Sequence, residues 1–335
     1  MSLILKRDEV LKVYKDASDR GWVLPAFNAE NQTTCEAILD GVREYGSSIG
    51  INDLPIILSI TNNYSHRPQS HFYTHTRRWE LGMKLFLDDV RQLTAADSPF
   101  ANLKVMIHLD HIHWRDDKEL LKWDLNGFSS IMFDASDLPF EENIQQTAEF
   151  VKKNRDKLII EGACDEIASY SDDNPTGLTT PEMAAKYYEQ TGVDLLVANL
   201  GTEHRASAET LKYKDKQAQA ITRRIGARLC LHGTSSITKD KLSHLFKDGI
   251  RKVNIWTSLE RDSAPVLFQE MLKHASKIIG PNITKELIDS QVLGDNIDIT
   301  SIPSVDYFTT TYRQGIIFNQ MKSIVINYLR MWYKL

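Results

Sequence analysis

Short apolar runs alternate with longer amphipathic stretches along the whole chain. Eight of these runs are rich in Val, Ile, Leu or Phe: Val23–Asn28, Leu54–Thr61, Lys104–Asp110, Ser129–Asp134, Leu158–Cys164, Asp194–Leu200, Ala227–His232 and Lys252–Trp256. They lack a clean polar alternation, which is the pattern of strands covered on both faces. Between them the apolar spacing predicts helices, among them Thr34–Tyr45, Glu80–Leu93, Phe140–Asn154 and Lys239–Lys247. Thr180 before Pro181 predicts a capped helix start. Gly249 is expected to supply a left-handed stop. Eight strand–helix units in series predict an α/β protein, a closed (β/α)8 TIM barrel over residues 1–280. Residues 281–335 are expected to form a C-terminal helical extension, helical over Gln314–Tyr333, packed on the barrel or on a partner subunit. Two stretches break the rhythm. Asn62–Arg78, polar and rich in His and aromatics, reads as an excursion above the barrel, and Ala168–Thr180 reads as a mobile loop.

Composition narrows the function classes. Of 335 residues, 40 are Lys or Arg and 45 Asp or Glu, a net charge of −5, so no basic surplus exists to neutralise many phosphates and no nucleic-acid partner is expected. No apolar run approaches the length of a membrane span, and mean hydropathy is −0.34, so no membrane partner is expected either. The first residues carry no pattern of an export signal. Three distant cysteines, Cys35, Cys164 and Cys230, make neither a disulfide framework nor a thiolate zinc site. A cytoplasmic location is the expectation.

In such a barrel, chemistry belongs at the C-terminal ends of the strands. Those ends read Asn28, Thr61, Asp110 with His111, Asp134, Glu161, His204, His232, and Asn254 with Thr257. They form a polar ring drawn from separated segments. A lone histidine near a loop is usually just hydrogen-bonded, but His111, His204 and His232 share strand-end placement. Three neutral imidazoles around an open position are a common catalytic zinc arrangement, able to polarise a carbonyl. His108 has the strand parity of Asp110 and is read as a structural neighbour. His113, and His66, His71 and His75 in the excursion, are read as loop or lid residues.

The ordered motifs Pro25-Ala26-Phe27-Asn28, His108-Leu109-Asp110-His111, Phe140-Glu141-Glu142-Asn143, Gly201-Thr202-Glu203-His204, Leu231-His232-Gly233 and Lys252-Val253-Asn254-Ile255 give the chain a family likeness. It resembles the zinc-dependent class II ketose-bisphosphate aldolases, the fructose- and tagatose-bisphosphate group. The resemblance implies one Zn2+ per subunit held by His111, His204 and His232, a homodimer or homotetramer, and a sugar phosphate as the small-molecule substrate. It implies Asp110 as general acid/base at the hydroxyl of the bond being cleaved. Asn254 would bind the keto portion, and Gly233, Ser235 and Thr257 the donor phosphate; Asn28 and Thr61 would line the substrate site. Cleavage next to a ketone leaves an enediolate that needs a cation or an iminium. No strand in this reading ends in a lysine, so the metal takes that role.

Four departures mark a divergent member. Where the family has Glu-x-Glu-Leu-Gly, this chain has Glu161-Gly162-Ala163-Cys164-Asp165, leaving Glu161 for a second metal position, an outer shell or an internal ion pair. Arg205 replaces a glycine after the strand-six histidine and is a candidate for gripping a phosphate or carboxylate. Ser169-Tyr170-Ser171-Asp172-Asp173 replaces the usual Gly-Gly-Glu-Glu loop, with Asp172 or Asp173 as the candidate loop acid. Trp256 stands two positions after Asn254, where a small or acidic residue is usual, or else serves packing between helices. Two competing functions follow: a catalytically silent assembly subunit, motivated by the loss at Ala163, and a metal-dependent hydrolase, motivated by His111-Ile112-His113.

Overall fold

The fold comes from a computed structural model, which describes residues 2–165, 177–202, 213–234 and 237–334. Eight parallel strands close into one barrel in sequence order: β1 (Leu24–Asn28), β2 (Pro55–Thr61), β3 (Lys104–His113), β4 (Ser130–Asp134), β5 (Ile159–Ala163), β6 (Leu195–Val197), β7 (Leu229–Leu231) and β8 (Ile250–Ile255). β1 pairs with both β2 and β8, which closes the ring. Every residue of β1, β2, β5, β6 and β7 is buried, as expected of strands sandwiched between barrel interior and helices.

Boundaries follow local chemistry. Thr180 caps helix Pro181–Thr191 by accepting from the Met183 N–H at 3.2 Å, as its position before Pro181 predicts. β6 stops at Val197, short of the expected Leu200, because the Asn199 N–H turns to the Thr179 hydroxyl at 2.7 Å. The expected helix Lys239–Lys247 is regular only over Lys239–Leu242 and finishes in turns. Gly249 does adopt φ +90°, and a Cβ there would strike the Thr222 side chain.

Two helices outside the repeat finish the barrel. Helix Arg7–Asp19 covers the N-terminal ends of the strands, where Arg7 donates to the Leu158 carbonyl at 2.8 Å and Asp194 Oδ2 at 2.7 Å. Helix Thr310–Trp332 packs sideways into the outer helix layer, against Gln32–Ser48 and Thr257–Lys273. Gly41 admits it closely, since a Cβ there would lie 3.0 Å from Val325. The Trp332 indole N–H reaches the Leu242 carbonyl at 2.8 Å, and the Tyr333 hydroxyl reaches Pro55 at 2.7 Å. Among the described residues no helix is long and apolar enough to cross a membrane.

Candidate active site

In a regular strand Asp110 and His111 would face opposite sides of the sheet. β3 avoids this with a bulge. Leu109 pairs with Ile131 and Ile112 with Phe133, so three steps on β3 match two on β4. His111 takes φ +49°, a left-handed conformation that His tolerates better than most residues. The extra residue lets both side chains line one pocket, the usual service of a bulge near a functional site. His111 Nδ1 lies 3.5 Å from Asp134 Oδ2, and its ring stacks on Tyr64 at 4.1 Å between centroids.

Asp110 is held from both flanks by amide nitrogens. Asn254 Nδ2 donates to Oδ1 at 2.7 Å, and Asn28 Nδ2 donates to Oδ2 at 2.9 Å. Each amide is oriented in turn. Lys252 donates its ammonium proton to Asn254 Oδ1, so the amide nitrogen must face Asp110. On the other flank Asn28 also donates to Gln69 Oε1 at 3.1 Å, and Gln69 Nε2 donates to Glu30 at 3.2 Å. Burial alone would push the Asp110 carboxyl up, but His111, His108 and His232 outweigh it and hold it well below the usual carboxylate range.

Below this level the barrel interior is ionic. Lys252 and Glu161, both fully buried, form an ion pair at 3.0 Å. His108 Nε2 lies 3.3 Å from Lys252 Nζ, while its Nδ1 meets Ser130 Oγ at 2.8 Å, so His108 is the structural neighbour its parity predicts. Burial and Lys252 push its pKa down. Glu161 therefore does not belong to the strand-end ring expected of it: β5 runs on to Ala163, and the carboxylate sits at the level of Lys252. The internal ion pair is the role its geometry shows.

The pocket above, with a cavity volume of about 60 Å³, is lined by Asn28, Thr61, Arg67, Asp110, His111, His232, Gly233, Thr234, Asn254, Trp256 and Thr257, among others. Asn28, Thr61, Asp110, His111, His232, Gly233, Asn254 and Thr257 thus converge as the sequence anticipates. Thr61 already uses its hydroxyl, donating to the Arg67 carbonyl. Gly233 has φ +71°, a conformation that favours glycine. His204, Arg205 and Ser235, and the segment Ser169–Asp173, lie outside the described residues. Trp256 is a pocket residue rather than inter-helix packing, its indole N–H donating to Glu30 Oε1 at 2.8 Å. His113 pairs with Asp116 and Asp137, each at 3.1 Å.

Sequence reasoning missed Lys252 as a functional neighbour, and Glu30, Arg67 and Gln69 altogether. Lys252 was visible as a charged residue inside an otherwise apolar run. Gln69 and Arg67 lay in the excursion, where no periodicity points to a partner.

The donor atoms of Asp110, His111 and His232 lie within 4.8 Å of one another, and all three residues are buried. Two imidazoles in such a cluster are donors that suit a divalent transition ion, with the Asp110 carboxylate beside them. Asp134 beside Nδ1 directs the other His111 nitrogen to the cluster, the usual partner of a metal-binding imidazole. The residues present therefore fit a zinc-type ion.

The family description Fructose-bisphosphate aldolase class-II matches residues 8–295. Among solved structures, the fructose-bisphosphate aldolase Fba of Campylobacter jejuni superposes with a TM-score of 0.75 at 19% identity, over 99% of this chain and 96% of that one. The YdjI aldolase of Escherichia coli K12 superposes with a TM-score of 0.66 at 19% identity, over 96% and 95%. At such identity these likenesses speak for the barrel, while the match over residues 8–295 speaks for descent. This chain belongs to the class II fructose-bisphosphate aldolase family.

Proposed function

We propose that the chain catalyses the reversible, metal-dependent retro-aldol cleavage of a ketose phosphate or a related polyhydroxy ketone, with Zn2+ as the ion and an enediolate as the intermediate. The observation that carries this reading is Asp110: an anionic, buried carboxylate held by two amides, beside His111 and His232 in one pocket. His111 and His232 would hold the ion, with His204 completing the set by family resemblance. When bound, the ion supplies positive charge for the oxyanion that develops on cleavage.

The chain's own residues do the rest. Asp110 takes the proton of the hydroxyl at the bond being broken, and in condensation returns it to the aldehyde oxygen. A carboxylate held by two N–H donors cannot rotate, so its proton acceptor is aimed before substrate arrives. Asn254 has its oxygen turned to Lys252, so it meets the substrate only as a donor, which suits a carbonyl or enediolate oxygen. The donor phosphate is assigned to the Gly233–Thr234 turn and Thr257, which begins helix Thr257–Lys273.

The test is cleavage of fructose 1,6-bisphosphate, tagatose 1,6-bisphosphate and ketose 1-phosphates, together with exchange of the dihydroxyacetone phosphate α-proton in deuterated water. Cleavage or exchange that stops with a chelator and returns with zinc is expected. Zinc-independent cleavage, or none with any ketose phosphate, contradicts the reading. Assembly as a homodimer or homotetramer belongs to the same proposal. The family resemblance is what supports that assembly. Light scattering on the eluting protein is expected to read a multiple of the 38.3 kDa chain, and a monomer mass contradicts it.

A further inference from the structure

Among the described residues lining the pocket, Arg67 is the guanidinium or ammonium on offer, and its charge is already neutralised. Its Nε–H donates to both carboxylate oxygens of Glu30, at 3.1 and 2.9 Å, and an Nη2–H donates to Glu30 Oε2. Glu30 is 7% exposed and is gripped from two further directions, by the Trp256 indole N–H and the Gln69 amide. The guanidinium also lies over the Phe72 ring, 4.1 Å from its centroid. Held this way, the Arg67 side chain keeps 34% of its surface exposed. A guanidinium has five N–H groups. Those not used by Glu30 remain to meet an incoming oxygen.

Glu260 adds a second acid beside this pair. Burial first, then Glu30, push its pKa up to about 7, with Arg67 pulling the other way. A phosphate or carboxylate arriving here meets no net positive charge. It could displace Glu30 only by leaving the Trp256 and Gln69 donors without their acceptor, a costly exchange for buried groups. A hydroxyl accepts from the same guanidinium with no such charge conflict.

We infer that Glu30 is a specificity-determining residue: by neutralising Arg67 it makes the β1–β2 side of the pocket a subsite for an uncharged, hydroxyl-bearing end of the substrate. The inference rests on the aldolase reading above and narrows its substrate to a ketose phosphorylated on the donor half alone. The aldehyde half then carries hydroxyls where a bisphosphate carries its second phosphoryl group.

Condensation of dihydroxyacetone phosphate with glyceraldehyde or with glyceraldehyde 3-phosphate tests it, using the zinc-loaded wild type and Glu30→Gln. Glutamine keeps an oxygen for Trp256 and Gln69 but leaves the Arg67 charge unneutralised. The wild type is expected to prefer the uncharged aldehyde by about tenfold or more in kcat/KM, and Glu30→Gln to move that ratio about tenfold or more towards the phosphorylated one. A wild type that prefers glyceraldehyde 3-phosphate, or a ratio unmoved in Glu30→Gln, overturns the inference. Calorimetric binding of inorganic phosphate reads the same wall without catalysis. Glu30→Gln is expected to bind it about tenfold more tightly than the wild type, and Glu30→Gln/Arg67→Met to lose that gain. Equal affinity in all three overturns the inference. Absence of condensation with either aldehyde counts against the aldolase reading, while the phosphate comparison still decides the role of Glu30.

Discussion

Asp110 sits between two amides, each with its polarity set by a charged neighbour, Lys252 on one flank and Glu30 through Gln69 on the other. Asp110→Asn keeps the shape and removes the proton acceptor. Steady-state kinetics should show kcat for ketose phosphate cleavage falling by about 10²–10⁴, with circular dichroism unchanged. The Lys252–Glu161 pair makes a separate prediction about stability. Lys252→Met alone leaves a buried anion unpaired and is expected to cost about 3–5 kcal/mol, whereas Lys252→Met/Glu161→Gln recovers most of that in urea denaturation. A double variant as unstable as the single one contradicts it. Glu260 predicts a pH effect. Its carboxyl titrates near 7 in the folded chain against an ordinary value of 4.5, so the folded state favours the protonated form. No penalty exists below about pH 4.5; it grows as pH rises towards 7 and persists above, reaching about 3 kcal/mol. Glu260→Gln should therefore raise stability at pH 8 and leave it near the wild-type value at pH 4.5. Equal effects at both pH values contradict that assignment. Much of this residue-level machinery was legible, because Asp110, His111, His232 and Asn254 each end or follow a hydrophobic run. The orienting charges were not, since nothing in local spacing says that Lys252 reaches Glu161 across the barrel or that Glu30 meets Arg67.

The strands were readable as elements because both of their faces are buried and their apolar runs are continuous. The bulge in β3 was not readable, and it decides the site: a strict period of two sends His111 away from Asp110. Only the pairing of β3 with β4, a contact distant in sequence, exposes the extra residue. The excursion after β2 hides a similar link. It returns through the short helix Gln69–Phe72, which brings Gln69 under Asn28. That helix rests on Gly82 of helix Trp79–Leu93, where an added Cβ would lie 1.8 Å from the Ser70 carbonyl oxygen. Gly82→Ala must therefore displace the excursion. We expect a loss of about 1–3 kcal/mol in stability together with a lowered kcat, because the Gln69–Asn28 support of Asp110 moves with it. Kinetics and denaturation on the same sample check both, and an unchanged kcat contradicts the linkage.

At the scale of the whole molecule, the closed ring brings together residues that are far apart in the chain, from Asn28 on β1 to Thr257 after β8. The sequence order of the motifs carried that information, since those holding Asn28, Asp110, His232 and Asn254 fall at strand ends and the strands follow one another around the barrel. The sideways docking of helix Thr310–Trp332 was not foreseeable from its own amphipathic pattern, which says that one face is buried but not against what. The central claim remains that imidazoles from distant strands share one ion next to Asp110. Metal analysis of the purified chain beside its His111→Ala, His204→Ala and His232→Ala variants tests it most directly. The account predicts one zinc per chain in the wild type and loss of tight binding in each variant. Zinc retained at full stoichiometry after any of these substitutions, or none bound by the wild type, would contradict it.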